Sequence, residues 1–195
     1  MLKAVVKLAV LVAVLWFGAI PPDLAHAQMR MGPLSKEAIK NVPALRQTKI
    51  CEGCDLAGAN LRSFELQNGN LKNADLTNST IQFSDLTNAT LEGANLSSSR
   101  IEDTIVTGAN FSKADLSVSN LNGCDFSGVN LQGAILRAAT LNKTNFANAD
   151  LRGAMLRAAN LNGANLEGAN LEGANLCNTV MPDGTLSFRN CRPPE

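Results

Sequence analysis

Apolar residues recur at every fifth position along most of this chain. From Leu56 to Leu176 each fifth residue is Leu, Ile, Val or Phe for 25 consecutive repeats, and no insertion breaks the count. The clearest stretch, LNGANLEGANLEGANLCNTV, runs from Leu161 to Val180. A period of five matches neither the 3.6-residue turn of an α-helix nor the two-residue alternation of a continuous strand. The pattern therefore predicts a chain that turns once in every repeat.

The other positions of each repeat follow the same count. Two residues before each apolar centre the residue is mostly small, and two residues after it 16 of 25 positions are Gly or Asn, which tolerate positive φ. The positions that flank the centre are mostly polar. Pro is absent between Ala44 and Met181, as expected where each backbone N–H pairs with a neighbouring coil. We therefore expect a solenoid whose coils stack about 4.8 Å apart, with centres and small residues pointing into a shared interior.

The repeat A-(D/N)-L-x-x resembles the signature of the pentapeptide repeat family, and GANLEGANLEGANL matches it closely. The resemblance covers Cys54 to Asn178. It implies an all-β fold, a right-handed quadrilateral β-helix with four repeats per coil. Equivalent residues of successive coils would then stack on one face, and the repeats would form just over six coils in a rod about 30 Å long.

The chain is expected to contain four segments. Residues 1–27 combine two lysines, a long apolar run and a small-x-small site at Ala25 and Ala27, which is typical of a secretory signal peptide. An uncleaved membrane anchor is the alternative, but the uninterrupted apolar run is short for a spanning helix. The remaining segments are predicted as an N-terminal cap segment (28–50), the β-helix (51–180) and a C-terminal capping tail (181–195).

Both flanks of the repeats carry signals of caps for the open ends of a rod. Ser35 is a plausible helix N-cap with Glu37 in the first turn, and the predicted short helix is interrupted by Pro43. The apolar residues expected to cover the first coil are Ile39, Val42 and Leu45. After the repeats, VMPDGTLSFRNC contains a Pro-Asp-Gly turn, which predicts a hairpin or loop folded over the last coil.

Composition and charge exclude several function classes. Lys plus Arg and Asp plus Glu both number 17, so no global charge attracts nucleic acid or an anionic membrane surface. Removal of residues 1–27 would remove the only His and the only Trp, and the chain has no Tyr. Most general-base, His-assisted nucleophile and His-metal designs are then excluded. We expect a protein that is not an enzyme and that needs no cofactor.

The chain has five cysteines, and disulfides are the default expectation for an exported protein. Cys177 lies on the last repeat and Cys191 in the tail, a separation suited to clamping the tail. Cys51 and Cys54 form a CxxC pair at the entrance of the coil. A redox-active CxxC is the alternative, although no βαβ pattern surrounds it. Cys124 occupies an inward small position and is predicted to be a buried, inert thiol.

The outward residues are mostly amides, hydroxyls and carboxylates. Two stacked carboxylate pairs suggest a metal ladder: Asp55 with Asp75, and Glu65 with Asp85. Acidic or amidic residues are typical at these positions throughout the family pattern, so we expect no metal site. Ile105 is also outward and apolar, but it stacks between Asp85 and Asp125, and we expect no apolar patch there.

One outward patch departs from the repeat pattern. Ile135 and Met155 stand where Asn or Asp is typical, they stack in equivalent positions of successive coils, and Arg137 and Arg157 flank them. Exposed apolar pairs ringed by Arg are common at protein interfaces. Isolated apolar surface residues are also normal, which is the alternative interpretation. The sequence thus predicts these four residues as a candidate interface.

These observations favour a non-enzymatic structural or protein-interaction scaffold whose partner is another protein. The CEGCDLAGANL opening resembles exported cyanobacterial members of the family, so the expected compartment is a periplasm or a thylakoid lumen. The first alternative is a redox-responsive protein that uses Cys51 and Cys54. The second is topoisomerase inhibition by DNA mimicry, which the resemblance implies for some members. That function needs a strongly acidic cytoplasmic rod, whereas this chain has balanced charge and a predicted signal peptide.

Overall fold

Three short elements frame the repeats in the computed structural model, which describes residues 34–191. They are the helix α1 (Lys36–Thr48) and the strands β1 (Thr179–Val180) and β2 (Leu186–Ser187). The predicted signal peptide, residues 1–27, lies outside the described residues. Within 34–191, no helix has the length and apolar character that crossing a membrane requires.

Between α1 and β1 the chain winds in coils of four repeats each. The residue before each centre forms a parallel bridge with its equivalent in the next coil, from Ile50 with Asn70 to Asn160 with Val180. These bridges are single residues separated by turns, so the sheet faces form without long strands. The predicted all-β solenoid with four repeats per coil is confirmed.

Backbone hydrogen bonds join successive coils, at three points in most repeats. The first coil illustrates the pattern: Leu56 N–H donates to the Asp75 carbonyl at 2.7 Å, and Gly58 N–H donates to the Thr77 carbonyl at 2.8 Å. In the return direction, Asp75 N–H donates to the Cys54 carbonyl at 2.9 Å. Pro would remove one of these donors, which explains its absence from the repeats.

Each repeat turns at the residue two positions after its centre. All 25 of these residues have positive φ, including ten glycines. The predicted role of Gly and Asn at this position is therefore confirmed, and the geometry holds even where the residue is bulky. Phe83 has φ 56° and Val118 has φ 59°, and both side chains are exposed. The turn is imposed by the stacking of coils, because neither residue favours this conformation.

The interior is filled by the centres and the small residues, as the period predicts. Nearly all centres are 0–2% exposed, from Leu56 to Leu161, and the rings of Phe111, Phe126 and Phe146 form a tilted stack. Adjacent ring centroids in this stack are 5.4 and 5.7 Å apart. Apolar burial along the whole rod therefore replaces a single globular core.

Hydroxyl groups at the inward small position mostly donate to the carbonyl of a centre in the preceding coil. Ser84 Oγ lies 2.7 Å from the Leu61 carbonyl oxygen, and Thr144 Oγ1 lies 2.8 Å from that of Leu121. By contrast, the buried hydroxyls of Ser79 and Ser99 have no hydrogen-bond partner among the described residues.

Helix α1 starts after Ser35, whose hydroxyl accepts a hydrogen bond from the Ala38 N–H at 2.9 Å, as the N-cap prediction requires. The helix ends where Lys49 adopts φ 58° and donates its N–H to the Leu45 carbonyl. Ala38 and Leu45 are fully buried, and Val42 packs partly against the core of the coil. The guanidinium of Arg46 lies 4.2 Å from the ring centroid of Phe64 in the first coil.

Two details of the predicted helix are wrong. Pro43 does not interrupt α1, which continues to Thr48; Pro43 and Ile39 both lie on the exposed side, where water can replace the missing hydrogen bond. Ile39 is 59% exposed instead of covering the coil. Ile39, Val42 and Leu45 are each three residues apart, and this uniform spacing turns the side-chain direction by about 60° at each step. Ala38, Val42 and Leu45 are four and then three residues apart, which keeps them on one face of the helix.

After the last repeat the chain forms the hairpin β1–β2, in which Thr179 lies opposite Ser187 and Val180 opposite Leu186. The Met181 N–H donates to the Thr185 carbonyl at 2.7 Å to close the Pro-Asp-Gly turn. Beyond the hairpin, three hydrogen bonds tie the tail to the last coil, one of them from Arg189 Nη2 to the Leu171 carbonyl at 3.1 Å. The Leu176 N–H donates to the Arg189 carbonyl at 3.1 Å, and Asn190 Nδ2 donates to the Ala174 carbonyl at 2.6 Å.

The tail leaves part of the last coil uncovered. Leu166 and Leu171 are only partly buried, unlike the centres of earlier coils. Four backbone N–H groups on this edge have no acceptor within residues 34–191: those of Leu166, Gly168, Leu171 and Gly173. The carboxyl-terminal end of the solenoid is therefore an open sheet edge on two of its four sides.

Candidate interaction surface

The four sides of the coil provide the frame for the surface. Side 1 carries the centres that stack on Leu56, side 2 those on Leu61, side 3 those on Leu66 and side 4 those on Leu71. The turn residues lie at the corners between successive sides. Equivalent outward residues of successive coils lie one above another on each side, so the surface is a set of side-chain ladders.

The structure brings together all four residues of the predicted interface on side 1. Ile135 and Met155 form a parallel bridge in adjacent coils, and the Leu136 N–H donates to the Met155 carbonyl at 2.8 Å. Arg137 Nη2 lies 3.9 Å from the Met155 sulfur. Met155 is 39% exposed, and Arg157 is exposed beside it.

These side chains border a recess at the corner between sides 4 and 1. The recess is lined by Arg137, Gly153, Met155, Arg157 and Gly173, with Asn175 and Cys177 at one end. A Cβ placed on Gly153 would have no atom within 4 Å, and one on Gly173 would meet only backbone atoms of Gly153 at 3.8–3.9 Å, so no side chain fills this corner. We call this recess, together with Ile135, the basic surface.

The arginines of the basic surface carry charge that the described residues do not neutralise. Neither Arg137 nor Arg157 is in an ion pair within the part of the chain that the structure describes. The neighbouring Arg152 differs, since its guanidinium contacts Asp150 at 2.7 Å and holds the pKa of that carboxyl below its ordinary value. Two free guanidinium groups beside apolar side chains can bind carboxylates and aromatic rings on another molecule.

The structure also places the four cysteines of the predicted pairs together. Cys51 and Cys54 are bonded, with Cα atoms 5.4 Å apart, and Cys177 and Cys191 are bonded, with Cα atoms 4.7 Å apart. Cys51 stands in the register of a centre and Cys54 in that of an inward small residue. This pair therefore lies inside the entrance of the coil, while Cys177 lies at the end of the basic surface.

Cys124 is a buried free cysteine whose S–H donates to the Ile101 carbonyl. It uses the same inward position and the same type of acceptor as the serines and threonines of the interior. Burial raises the pKa of this thiol to about 12. The thiolate is therefore scarce at neutral pH, and the group is suited to packing and not to chemistry.

The carboxylates of the suggested metal ladders are hydrogen-bonded within their own repeats. Asp55 Oδ1 accepts from the Ala57 N–H at 2.9 Å, and Asp85 Oδ1 accepts from the Thr87 N–H at 2.8 Å. Burial alone would raise the pKa of Asp85, but hydrogen bonds from Thr87 and Gln67 and the nearby charge of Lys49 together outweigh it, so the net pKa is lowered. Among residues 34–191, no group of three or more potential ligands is arranged to hold a metal ion.

A second apolar patch was not predicted from the sequence, and the expectation that Ile105 forms no patch is wrong. Ile105 and Phe83 are both 53% exposed, and they border one depression at the corner between sides 2 and 3. Acidic side chains surround this depression: Glu65, Asp85 and Asp103. We call these five residues the acidic surface.

The missed patch has a recognisable signal in the sequence. Phe83 is a turn residue of side 2, and Ile105 precedes a centre of side 3 in the next coil. Phe83 and Ile105 are therefore 22 residues apart, which is one coil of 20 residues plus two positions, and they face each other diagonally across a corner. Residues stacked on a single side are 20 apart, so stacking on one side does not bring this pair together. Comparing residues along this diagonal finds the pair.

Comparison with known proteins identifies the repeat. The family model described as "Pentapeptide repeats" matches eight copies across residues 54–93, 94–133, 119–157, 134–173 and 159–188. These matches cover well over half of the chain. The chain belongs to the pentapeptide repeat family. No curated protein sequence matches this pentapeptide repeat protein.

Several solved structures are similar to this pentapeptide repeat protein. HetL, described as involved in heterocyst differentiation regulation in Nostoc sp. strain PCC 7120, is 30% identical over 71% of this chain and 72% of its own, with a TM-score of 0.49. Rfr23 from Cyanothece 51142 is also 30% identical, over 70% and 93% of the two chains, with a TM-score of 0.22. A protein from the Arabidopsis thaliana thylakoid lumen is 22% identical over 70% and 72%, with a TM-score of 0.21. The sequence identity of the two cyanobacterial proteins agrees with the family, and none of these likenesses assigns a function.

Proposed function

We propose that this protein is a non-enzymatic scaffold that binds another protein in an exported compartment, and that the basic surface is its interface. One observation carries the proposal. Ile135 and Met155 interrupt the polar ladder of side 1 at the two coils where Arg137 and Arg157 lie unpaired within residues 34–191. Apolar side chains beside free guanidinium groups are typical of the centre of a protein interface.

The proposal includes the segments that the sequence predicts. Residues 1–27 are a cleaved signal peptide, the compartment is a periplasm or a thylakoid lumen, and residues 51–180 form a right-handed coil. Helix α1 within 28–50 caps the first coil, which is supported by the burial of Ala38 and Leu45 and by the bond from Asn41 Nδ2 to the Asp55 carbonyl. Residues 181–195 cap the other end.

Photo-cross-linking in cells tests the interface. A photoreactive residue at Ala138, which is exposed beside the basic surface, should form a covalent adduct with the partner protein. The double variant Ile135→Asn/Met155→Asn should lose the adduct, and it should fold because Asn95 and Asn175 occupy the same ladder. Val118→Asn is the matched control, since it removes an apolar side chain that is 62% exposed outside the recess. An adduct that persists unchanged in the double variant contradicts the proposal.

The redox alternative is separated from the structural role by the position of the CxxC pair. Cys51 is only 7% exposed and stands where a Leu stands in later repeats, so attack by another thiol needs local opening of the coil. Differential alkylation of protein from the exported fraction, followed by peptide mapping, should find both pairs oxidised and Cys124 reduced. Cycling of Cys51 and Cys54 with a thioredoxin-type partner would instead favour the redox function.

A further inference from the structure

The acidic surface is centred on an aromatic residue that does nothing for the interior. Phe83 projects outward from a corner with φ 56°, where the stacked residues are Ser63, Asp103 and Gly123. A large aromatic residue is unfavourable in the left-handed region, and smaller residues fill the same turn in the neighbouring coils. The contact of its ring is with the guanidinium of Arg62, 5.0 Å from the ring centroid. Phe83 therefore has the position of a binding anchor and not of a folding residue.

The basic surface has the opposite shape. Where the acidic surface carries Phe83 at the corner, the corner of the basic surface carries Gly153 and Gly173 and is open. Met155 forms one wall of the recess, and sulfur atoms pack favourably against aromatic rings. Arg157 at its edge can also lie over a ring. A projecting Phe and a recess lined by Met, Gly and Arg are complementary.

The charges of the two surfaces are complementary as well. Glu65, Asp85 and Asp103 surround Phe83 and Ile105, with the cations of Lys49 and Arg62 at the margin of the patch. Among the described residues none of these three carboxylates is in an ion pair. Arg137 and Arg157 flank the recess and are likewise without carboxylate partners in the described part of the chain. Docking of one surface on the other would bring opposite charges together around an apolar contact.

From these three observations we propose that the occupant of the basic surface is a second copy of this chain, bound through its acidic surface, with Phe83 of one copy in the Gly153–Met155 recess of the other. This inference rests on the proposed function, because it names the partner of the same interface. The two surfaces lie at diagonally opposite corners of the coil, between sides 2 and 3 and between sides 4 and 1.

The diagonal placement determines the type of assembly. Two copies cannot form both contacts at once, so each dimer retains one free surface of each kind and the contact is heterologous. Phe83 and Gly153 are separated by three and a half coils, which is an axial offset of about 17 Å at strand spacing. Copies with parallel axes therefore associate side by side with this stagger and extend into an open row.

Sedimentation velocity on the protein purified from the exported fraction tests the inference. The wild type should show concentration-dependent species larger than a dimer, which weaken as salt is raised. The variants Arg137→Glu/Arg157→Glu and Phe83→Asn/Ile105→Asn should each be monomeric, with association reduced about tenfold or more. An equimolar mixture of the two variants should form a dimer that extends no further, because each copy retains one intact surface.

The matched control is Phe188→Asn, which removes a side chain that is 65% exposed in the tail and should leave the association unchanged. A wild type that remains monomeric at millimolar concentration overturns the inference, as does a variant mixture that forms no dimer. Neither result affects the proposed function if cross-linking from Ala138 captures a different protein whose adduct is lost in Ile135→Asn/Met155→Asn. If the adduct instead persists in Ile135→Asn/Met155→Asn, the proposed function itself is wrong.

Discussion

The small inward position of each repeat shows how one residue stabilises or destabilises this solenoid. Ser84 and Ser99 occupy the same position, two residues before a centre, and both are buried. The hydroxyl of Ser84 donates to the Leu61 carbonyl at 2.7 Å, whereas that of Ser99 has no partner within the described residues. A buried hydroxyl that makes no hydrogen bond costs about 1–3 kcal/mol.

Ser99→Ala should therefore increase the free energy of unfolding by about 1 kcal/mol, because Ala fills the same position in most repeats without a buried polar group. The matched variant Ser84→Ala removes the bond to the Leu61 carbonyl and also the bond that Ser84 Oγ accepts from the Phe64 N–H at 3.1 Å, and it should lower the free energy of unfolding by about 1–3 kcal/mol. Urea titrations of both variants against the wild type measure the two changes. Equal shifts of the urea midpoint in one direction would show that hydrogen bonding at this position does not decide stability.

Phe126 is the residue where loss of packing should be greatest. Its ring is fully buried between Phe111 and Phe146, with centroid distances of 5.4 and 5.7 Å. Phe126→Ala should lower the free energy of unfolding by about 3–5 kcal/mol, since it removes apolar contacts and leaves a cavity between fixed coils. Phe188→Ala, in which the side chain is exposed, should change it by less than about 0.5 kcal/mol. A small effect of Phe126→Ala in urea unfolding would mean that the coils collapse into the space.

At the scale of elements, α1 is attached to the first coil through a carboxylate. The Ser35 hydroxyl donates to Asp55 Oδ2 at 2.6 Å while it also accepts from the Ala38 N–H, so one serine caps the helix and holds it to the coil. The hydrogen bond from Ser35, followed by that from the Ala57 N–H, lowers the pKa of Asp55. The attachment of α1 is therefore coupled to the ionisation of one side chain.

This coupling predicts an acid-dependent loosening of α1. Because the pKa of Asp55 is lower in the folded state, its stabilising contribution is present above the unfolded-state value of about 3.9 and is lost as pH falls through the folded-state value. Hydrogen exchange of the α1 amides should accelerate below about pH 4 relative to that of the central coils. Asp55→Asn should show faster α1 exchange at neutral pH and little further change with acid. An identical pH response in both proteins would contradict this role for Asp55.

On the scale of the whole molecule, the sequence predicts what lies within one repeat or stacks on one side, such as Ile135 on Met155, and misses what crosses a corner. The period of five and the turn residue are properties of a single repeat, and both were predicted. Phe83 and Ile105 border one depression across a corner and a coil boundary, so their proximity follows only when the stacking of whole coils is known. The sequence places Val42 and Leu45 on the buried face of α1 correctly but Ile39 wrongly, and it ends the helix too early, because whether the helix continues past Pro43 depends on its docking and not on its own residues.

The open edge of the last coil leads to a prediction about the exchange of backbone amides along the rod. The N–H groups of Leu166, Gly168, Leu171 and Gly173 have no acceptor within residues 34–191 and should exchange fast. Their equivalents one coil earlier donate to the last coil at 2.8–2.9 Å and should be protected about a thousandfold or more: Phe146, Asn148, Leu151 and Gly153. Amide exchange followed by NMR compares the two sets within one sample, at a concentration where the protein is monomeric. Equal protection of both sets would contradict the open edge.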